Sequence, residues 1–270
     1  MRVAGNRTAD PSQKRARIAA ALVAAVLVLG GGIAAVLLTS GGDVSTKAAP
    51  APTRARPPVT TAVTTTPQPP PLRAAATKGT DIPVFAAPDA GAAPVDTLST
   101  QTSYLLPRTL LAFDQQQDWL HVYLPTRPNN STGWVKTSDV SVSQTPLDWQ
   151  VQVDLANHQA TLLHDGQVDF TTTVAIGSPE DPTPTGTFFI TDPIDLRNRP
   201  GTGYGAYALG LSGHSDVLTS FEGGDGQIAL HGTDNSSDVG QSISHGCVRF
   251  TNDDILRLSS LPLGTPVFIH

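Results

Sequence analysis

In the C-terminal half of this chain, apolar and polar residues alternate over short stretches, and turn residues interrupt each stretch before it reaches helical length, which restricts this half to β-structure. Trp149-Gln150-Val151-Gln152-Val153-Asp154-Leu155 alternates with period two. Ala156-Asn157-His158 then turns the chain, Gln159 to Leu163 returns, and Asp165-Gly166 turns it again into Val168 to Ile176. Such a meander builds a sheet. Gly177 to Gly186 reads as a Pro-containing loop, Thr187 to Ile190 as a further strand and Thr265 to Ile269 as the last. The segment from Asp192 to Gly226 is rich in Gly and Ser and too long for a hairpin connection, so it reads as an excursion that covers or binds a substrate. Helical signal is sparse. Its best instance is Thr251-Asn252-Asp253-Asp254, a capping sequence ahead of Ile255-Leu256-Arg257-Leu258.

Upstream, from about Thr80 to Ser143, the apolar segments are equally short: Pro83-Val84-Phe85, Leu110-Leu111-Ala112-Phe113, Trp119 to Leu124 and Gly133-Trp134-Val135. They predict a small all-β module. Before it, residues 39–77 are dominated by Thr, Ala and Pro and lack the side chains to bury a core, so they read as a tether. Extended throughout, at about 3.1 Å per residue, it would reach on the order of 120 Å. Ile18 to Leu38 is an uncharged apolar run, and at about 1.5 Å rise per residue it covers the roughly 30 Å of a bilayer core, so it predicts a transmembrane helix. Arg2, Arg7, Lys14, Arg15 and Arg17 precede it against only Asp10, which predicts a cytoplasmic N-terminus and an exported remainder. A cleaved secretory signal is the competing reading, although the run is long for one and no convincing cleavage site follows it. The expected order is therefore a basic tail (1–17), a membrane helix (18–38), a linker (39–77), a small all-β module (78–145) and a larger β-rich domain (146–270).

From Pro146 onward fifteen acidic side chains face four cations, Arg197, Arg199, Arg249 and Arg257. Such a surface repels phosphates, which excludes nucleic acid as a natural partner. The chain has one cysteine, Cys247, so no internal disulfide can form, and an exported lone thiol needs its own explanation. Its surroundings supply one. Leu230-His231-Gly232-Thr233 is followed by Ile243-Ser244-His245-Gly246-Cys247-Val248-Arg249-Phe250, with two imidazoles and a guanidinium near the sulfur. A thiol is nucleophilic as its thiolate and needs a base or positive field, both of which these residues could provide. Gly246 lets backbone approach a substrate closely, and the amides around Gly246 and Cys247 are natural oxyanion donors. In a regular strand His245, Cys247 and Arg249 share a face. Arg249 could then lower the thiol pKa and bind a substrate carboxylate; its bland alternative is an ion pair with a structural aspartate. Ser244 and Thr233 offer hydroxyls for supporting hydrogen bonds. A zinc site built from His231, His245 and Cys247 is the metal alternative, but no paired-cysteine or His-Glu-x-x-His spacing accompanies it, so no metal and no cofactor are expected.

Thr183-Pro184-Thr185-Gly186-Thr187-Phe188, His231-Gly232-Thr233 and Ser244-His245-Gly246-Cys247-Val248-Arg249, in that order, resemble the catalytic domain of bacterial L,D-transpeptidases of the YkuD type over about 147–270. The resemblance implies a mostly β, sandwich-type catalytic domain with few short helices. It assigns Cys247 as nucleophile and His231 as base, oriented by a neighbouring carbonyl that here belongs to Gly232; His245, two residues from Cys247, ranks second as base on its position in the strand. Tyr207 and Asn235 fall in segments that flank the family's pocket and are candidate substrate-binding residues. The implied activity is on peptidoglycan: Cys247 acylated by a tetrapeptide stem, then transfer to an amine that crosslinks the wall. The same first step would serve an L,D-carboxypeptidase or a wall-protein anchoring enzyme, and a non-catalytic wall-binding protein is the reading from another class. Residues 78–145 resemble bacterial Src-homology-3-like modules in having an Asp118-Trp119-Leu120-His121-Val122 strand followed by Gly133-Trp134-Val135. Such modules often contact cell-wall peptides; a rigid pedestal is the alternative.

Overall fold

The computed structural model describes residues 72–76, 80–143, 147–221 and 223–270. The tail 1–17, the apolar run 18–38 and nearly all of the 39–77 tract lie outside them. Among the described residues no helix is long and apolar enough to cross a membrane.

The N-terminal module is built on a five-stranded sheet. In chain order its strands are β1 (Leu72–Ala76), β4 (Thr109–Gln116), β5 (Trp119–Tyr123), β6 (Thr132–Lys136) and β7 (Val140–Val142), and the hairpin β2 (Ile82–Val84) and β3 (Asp96–Leu98) lies beside them. The sheet order is β6-β5-β4-β1-β7. Ile82, Val84, Leu110, Leu120, Val122 and Val135 fill its interior. Strand β1 falls within the stretch read as linker. Its sequence, Leu-Arg-Ala-Ala-Ala, carries no strand signal, and its place comes from antiparallel pairing on both sides, Leu72 to Ala112 and Ala76 to Val140.

The C-terminal part is built on an eight-stranded sheet in the order β10-β9-β8-β17-β12-β13-β14-β16, in which β14 is Gln227–His231 and β16 is Val248–Arg249. The meander read from the sequence forms β8 (Trp149–Asp154), β9 (Gln159–His164) and β10 (Gln167–Thr173). The sheet turns over at β12 (Gly186–Asp195). Its first half pairs with β17 (Pro266–Ile269), its second half with β13 (Tyr207–His214), and the register shifts between Ile190 and Asp192. The bulge lets one strand serve both halves of a curled sheet. Val151, Leu162, Phe188 and Val267 from one half then share a core with Leu209, Leu230 and Val248 from the other. The expected sandwich is thus a single sheet folded over. The few short helices expected amount to one α-helix among the described residues, α1 (Asn252–Leu258), besides 3₁₀ turns. Thr251 caps it, its hydroxyl accepting from the Asp254 amide, and Ile255 and Leu258 bury against the sheet.

The excursion expected over 192–226 is interrupted by β13, so it consists of two loops. The sequence Tyr-Ala-Leu-Gly-Leu-Ser-Gly-His has the glycines of a loop. One of them, Gly213, is required by packing, because a Cβ there would lie 2.5 Å from the Phe188 ring.

The module is bolted to this sheet. Along β12, Phe188 and Ile190 face the core of the C-terminal sheet while Phe189, on the opposite face, is buried in the module's core. The Arg127 guanidinium donates to the carbonyls of Asp225, Ser215 and Leu218. Asn129 exchanges hydrogen bonds with the backbone of His214, and Asn130 with Thr185 and Thr187.

Candidate active site

Strand β14 (Gln227–His231) and the short β16 (Val248–Arg249) run parallel, with Leu230 opposite Val248 and His231 opposite Arg249. Cys247 is the residue before β16. The turn that delivers it is held by Ser244, the last residue of β15 (Ser242–Ser244). The buried Ser244 hydroxyl donates to the Cys247 carbonyl at 2.5 Å and accepts from the Gly246 amide at 3.2 Å. Gly246 has φ of 111°, in the region that favours glycine. The chain is not extended through Gly246, so the strand geometry read from the sequence does not hold there, although His245 and Cys247 still reach one cleft and only Arg249 departs from it. His245 and half-buried Cys247 both line an open cleft of about 580 Å³. The Arg249 guanidinium turns away to Asp238, at 2.8 Å. The Gly246 amide, expected to face an oxyanion, is directed to Ser244.

His231 is 3% exposed. Its Nδ1 lies 2.5 Å from the Gly232 carbonyl oxygen, which can only accept, so the proton sits on Nδ1 in the neutral ring. Burial pushes its pKa down to about 4; the Gly232 carbonyl opposes the shift, the Arg249 charge deepens it and the Tyr204 carbonyl opposes it again. At neutral pH this imidazole is uncharged. The Tyr204 ring packs on it at 4.8 Å between centroids, and Tyr204 also lines the cleft. His245 is exposed and tilts against Phe221 at 5.0 Å.

The remaining predicted residues divide from the cleft. Thr233, Asn235 and Arg249 converge on Asp238: Asn235 Nδ2 donates to Oδ1 at 2.8 Å, while Arg249 Nη1 and the Thr233 hydroxyl donate to Oδ2 at 2.8 and 3.4 Å. Asn235 also caps the 3₁₀ turn at Ser236–Asp238. These polar groups therefore organise the connection between the two motifs rather than facing a substrate. The Tyr207 hydroxyl donates to the Ser259 carbonyl, away from the cleft, at 3.4 Å. Tyr204 stands in the cleft where Tyr207 was expected. Its sequence context, Gly203-Tyr204-Gly205, offered only an aromatic in a glycine-rich loop. Ser103 and Tyr104 of the N-terminal module also line the cleft, and no local sequence signal could have found them. Among the described residues no three His, Cys, Asp or Glu side chains group as metal ligands.

The family model described as the L,D-transpeptidase catalytic domain matches residues 148–269. Two Bacillus subtilis proteins bearing the L,D-transpeptidase name align with the chain. YkuD is 32% identical over 46% of this chain and 67% of its own length, and YqjB is 30% identical over 46% and 72%. Among solved structures, an L,D-transpeptidase from Mycobacterium tuberculosis matches 60% of this chain and 90% of its own at 15% identity and a TM-score of 0.41. One from Mycobacterium smegmatis matches 71% and 100% at 17% identity and a TM-score of 0.38.

Proposed function

The chain belongs to the L,D-transpeptidase family of the YkuD type, and on that premise we propose that it crosslinks peptidoglycan stem peptides through a thioester on Cys247. The observation that carries this reading is the sole cysteine, half-buried in an open cleft, next in sequence to a strand whose parallel neighbour ends in a buried, neutral imidazole. Cys247 Sγ attacks the carbonyl carbon of the third residue of a tetrapeptide stem, and the bond from that carbon to the D-alanine nitrogen breaks. The thiol proton passes to His231 and from there to the departing amine. An amine of a second stem then attacks the thioester, its proton returns through His231 to the sulfur, and the two third residues are joined.

The depressed pKa of His231 gives this sequence a particular character. A base of about 4 is too weak to hold the resting thiol as a thiolate–imidazolium pair, so the proton leaves sulfur as the carbon–sulfur bond forms. His245, exposed in the same cleft, takes the secondary role of polarising the bound substrate. In the same reading, residues 18–38 anchor the chain in the membrane, the tract from 39 up to β1 tethers it, and the Src-homology-3-like module carries the catalytic domain outside the cytoplasm.

The test is product analysis. The exported portion is incubated with a tetrapeptide-bearing muropeptide donor and a second stem as acceptor, and both protein and products are weighed by mass spectrometry. A dimer linked through third residues, a transient protein adduct of the donor acyl group, and loss of both in Cys247→Ala are expected. Trimmed stems without dimers would make the activity a carboxypeptidase, and turnover persisting in Cys247→Ala would refute the nucleophile.

A further inference from the structure

The N-terminal module does more than abut the catalytic domain. Its loop between β3 and β4 places Ser103 and Tyr104 in the same cleft as Cys247 and His245. That loop is not slack. Thr102 exchanges backbone hydrogen bonds with Leu105 and Leu106, the Arg108 amide closes on the Thr100 carbonyl, and the Arg108 guanidinium donates to the carbonyls of Ser99 and Gln101. At its tip Leu105 has φ of 61°, a left-handed backbone that costs a branched residue on the order of 1 kcal/mol. The product of this ordered, strained tip is a pair of adjacent apolar side chains left in solvent, Tyr104 at 54% and Leu105 at 74% exposure. Folding alone does not account for holding a tyrosine there, and an exposed apolar pair at the rim of a cleft marks a contact surface.

The opposite wall depends on the module as well. The loop that carries Ser215, Leu218, Phe221 and Asp225 into the cleft is the one whose carbonyls the Arg127 guanidinium gathers from below. With Phe189 buried in the module's core, the module cannot swing away without opening both walls. The partial burial of the Tyr104 ring at the cleft, with the carboxylates of Asp192 and Asp225 and then Cys247 nearby, raises its phenol above the ordinary pKa, in keeping with a side chain that shares the cleft's field.

We propose that the substrate site is composite, with Tyr104 of the N-terminal module as a donor-binding residue whose ring packs on the stem peptide presented to Cys247. The proposal rests on the reading of the cleft as a stem-peptide site, and extends it by assigning the module a direct part in recognition. A flat, half-exposed ring with only two side-chain torsions loses little conformational freedom when an extended peptide lies across it, which suits it to this contact.

The experiment separates binding from turnover. In the Cys247→Ala background, where no acyl transfer can occur, the affinity of a tetrapeptide-bearing muropeptide is measured by calorimetry for the chain with Tyr104 and for Tyr104→Ala and Tyr104→Phe. Tyr104→Ala is expected to weaken binding about tenfold, the size of one lost aromatic contact, and Tyr104→Phe to restore it, since the ring makes the contact. Unchanged affinity in Tyr104→Ala, or no binding of the peptide to Cys247→Ala, overturns the proposal. A melting temperature unaffected by Tyr104→Ala shows that the loss is one of contact; a fall overturns the proposal in favour of a structural role. Whether the unaltered chain crosslinks stems is read separately from its products. Failure there with Tyr104-dependent binding intact removes the transfer chemistry and leaves the composite site standing.

Discussion

His231 concentrates the site's chemistry in one ring. Its value in the unfolded chain is about 6.5, and burial brings it to about 4 in the fold. Between those pH values the unfolded state binds a proton that the native state refuses. The stability due to this group is therefore complete above about pH 6.5 and is lost as pH falls, up to about 3 kcal/mol by pH 4. His214, also lowered by burial, adds in the same direction. Urea midpoints measured from pH 7.5 to 4.5 are expected to fall steadily, and His231→Gln is expected to flatten most of that dependence. A flat profile for the unaltered chain would mean that His231 is charged or exposed in solution. The same shift predicts that the acylation rate does not drop near pH 6.5, where an ordinary histidine would protonate; an acid limb centred there would assign the proton transfer to a different group.

At the scale of elements, the short connector between the histidine and cysteine motifs is organised by one ion pair. Arg249 on β16 and Asp238 in the connector are largely shielded, with side-chain exposures of 22% and 13%, and Thr233 and Asn235 converge on the same carboxylate. Removing either partner strands a charge, at a cost of about 1–3 kcal/mol for a pair that is shielded but not fully dry. Arg249→Ala and Asp238→Ala are each expected to lose that much, and the double variant little more than either alone, since both break one interaction. Additive losses in this cycle would refute the pairing. A large rise in donor KM in Arg249→Ala with unchanged stability would return Arg249 to the substrate. The pair also shows where reading residues in order stops. The alternation of β8 and β9 and the Thr251 cap are local patterns and were legible. So was the nearness of Ser244, His245 and Cys247, which lie within four positions of one another. Which aspartate Arg249 would meet was not, because Asp238 lies eleven positions away in a connector that has only a 3₁₀ turn and no period to read. Strand β13 was hidden by glycines that the Phe188 ring requires, and β1 by a sequence that only its neighbours make into a strand.

At the scale of the whole molecule, a module read as pedestal or wall-binding appendage turns out to share side chains with its neighbour. Phe189 is fully buried, belongs to a catalytic-domain strand and fills the module's core, while its own amide is held by the Ser212 hydroxyl on β13. Two bodies that share a core residue of this size cannot lose their cores independently, so residues 80–270 are expected to unfold in one transition. Hydrogen exchange followed by mass spectrometry along a urea series resolves the two halves. Segments β4 to β6 and β12 to β14 are expected to lose protection at the same urea concentration. Phe189→Ala leaves a cavity on the module's side of β12 and is expected to cost about 3–5 kcal/mol, with the transition moving down in both halves together. If only the catalytic segments shift while the module keeps its midpoint, the shared core is not a coupling element. In that event Tyr104 would be carried on a body free to leave the cleft, and a composite site would have to be sustained by the Arg127, Asn129 and Asn130 hydrogen bonds.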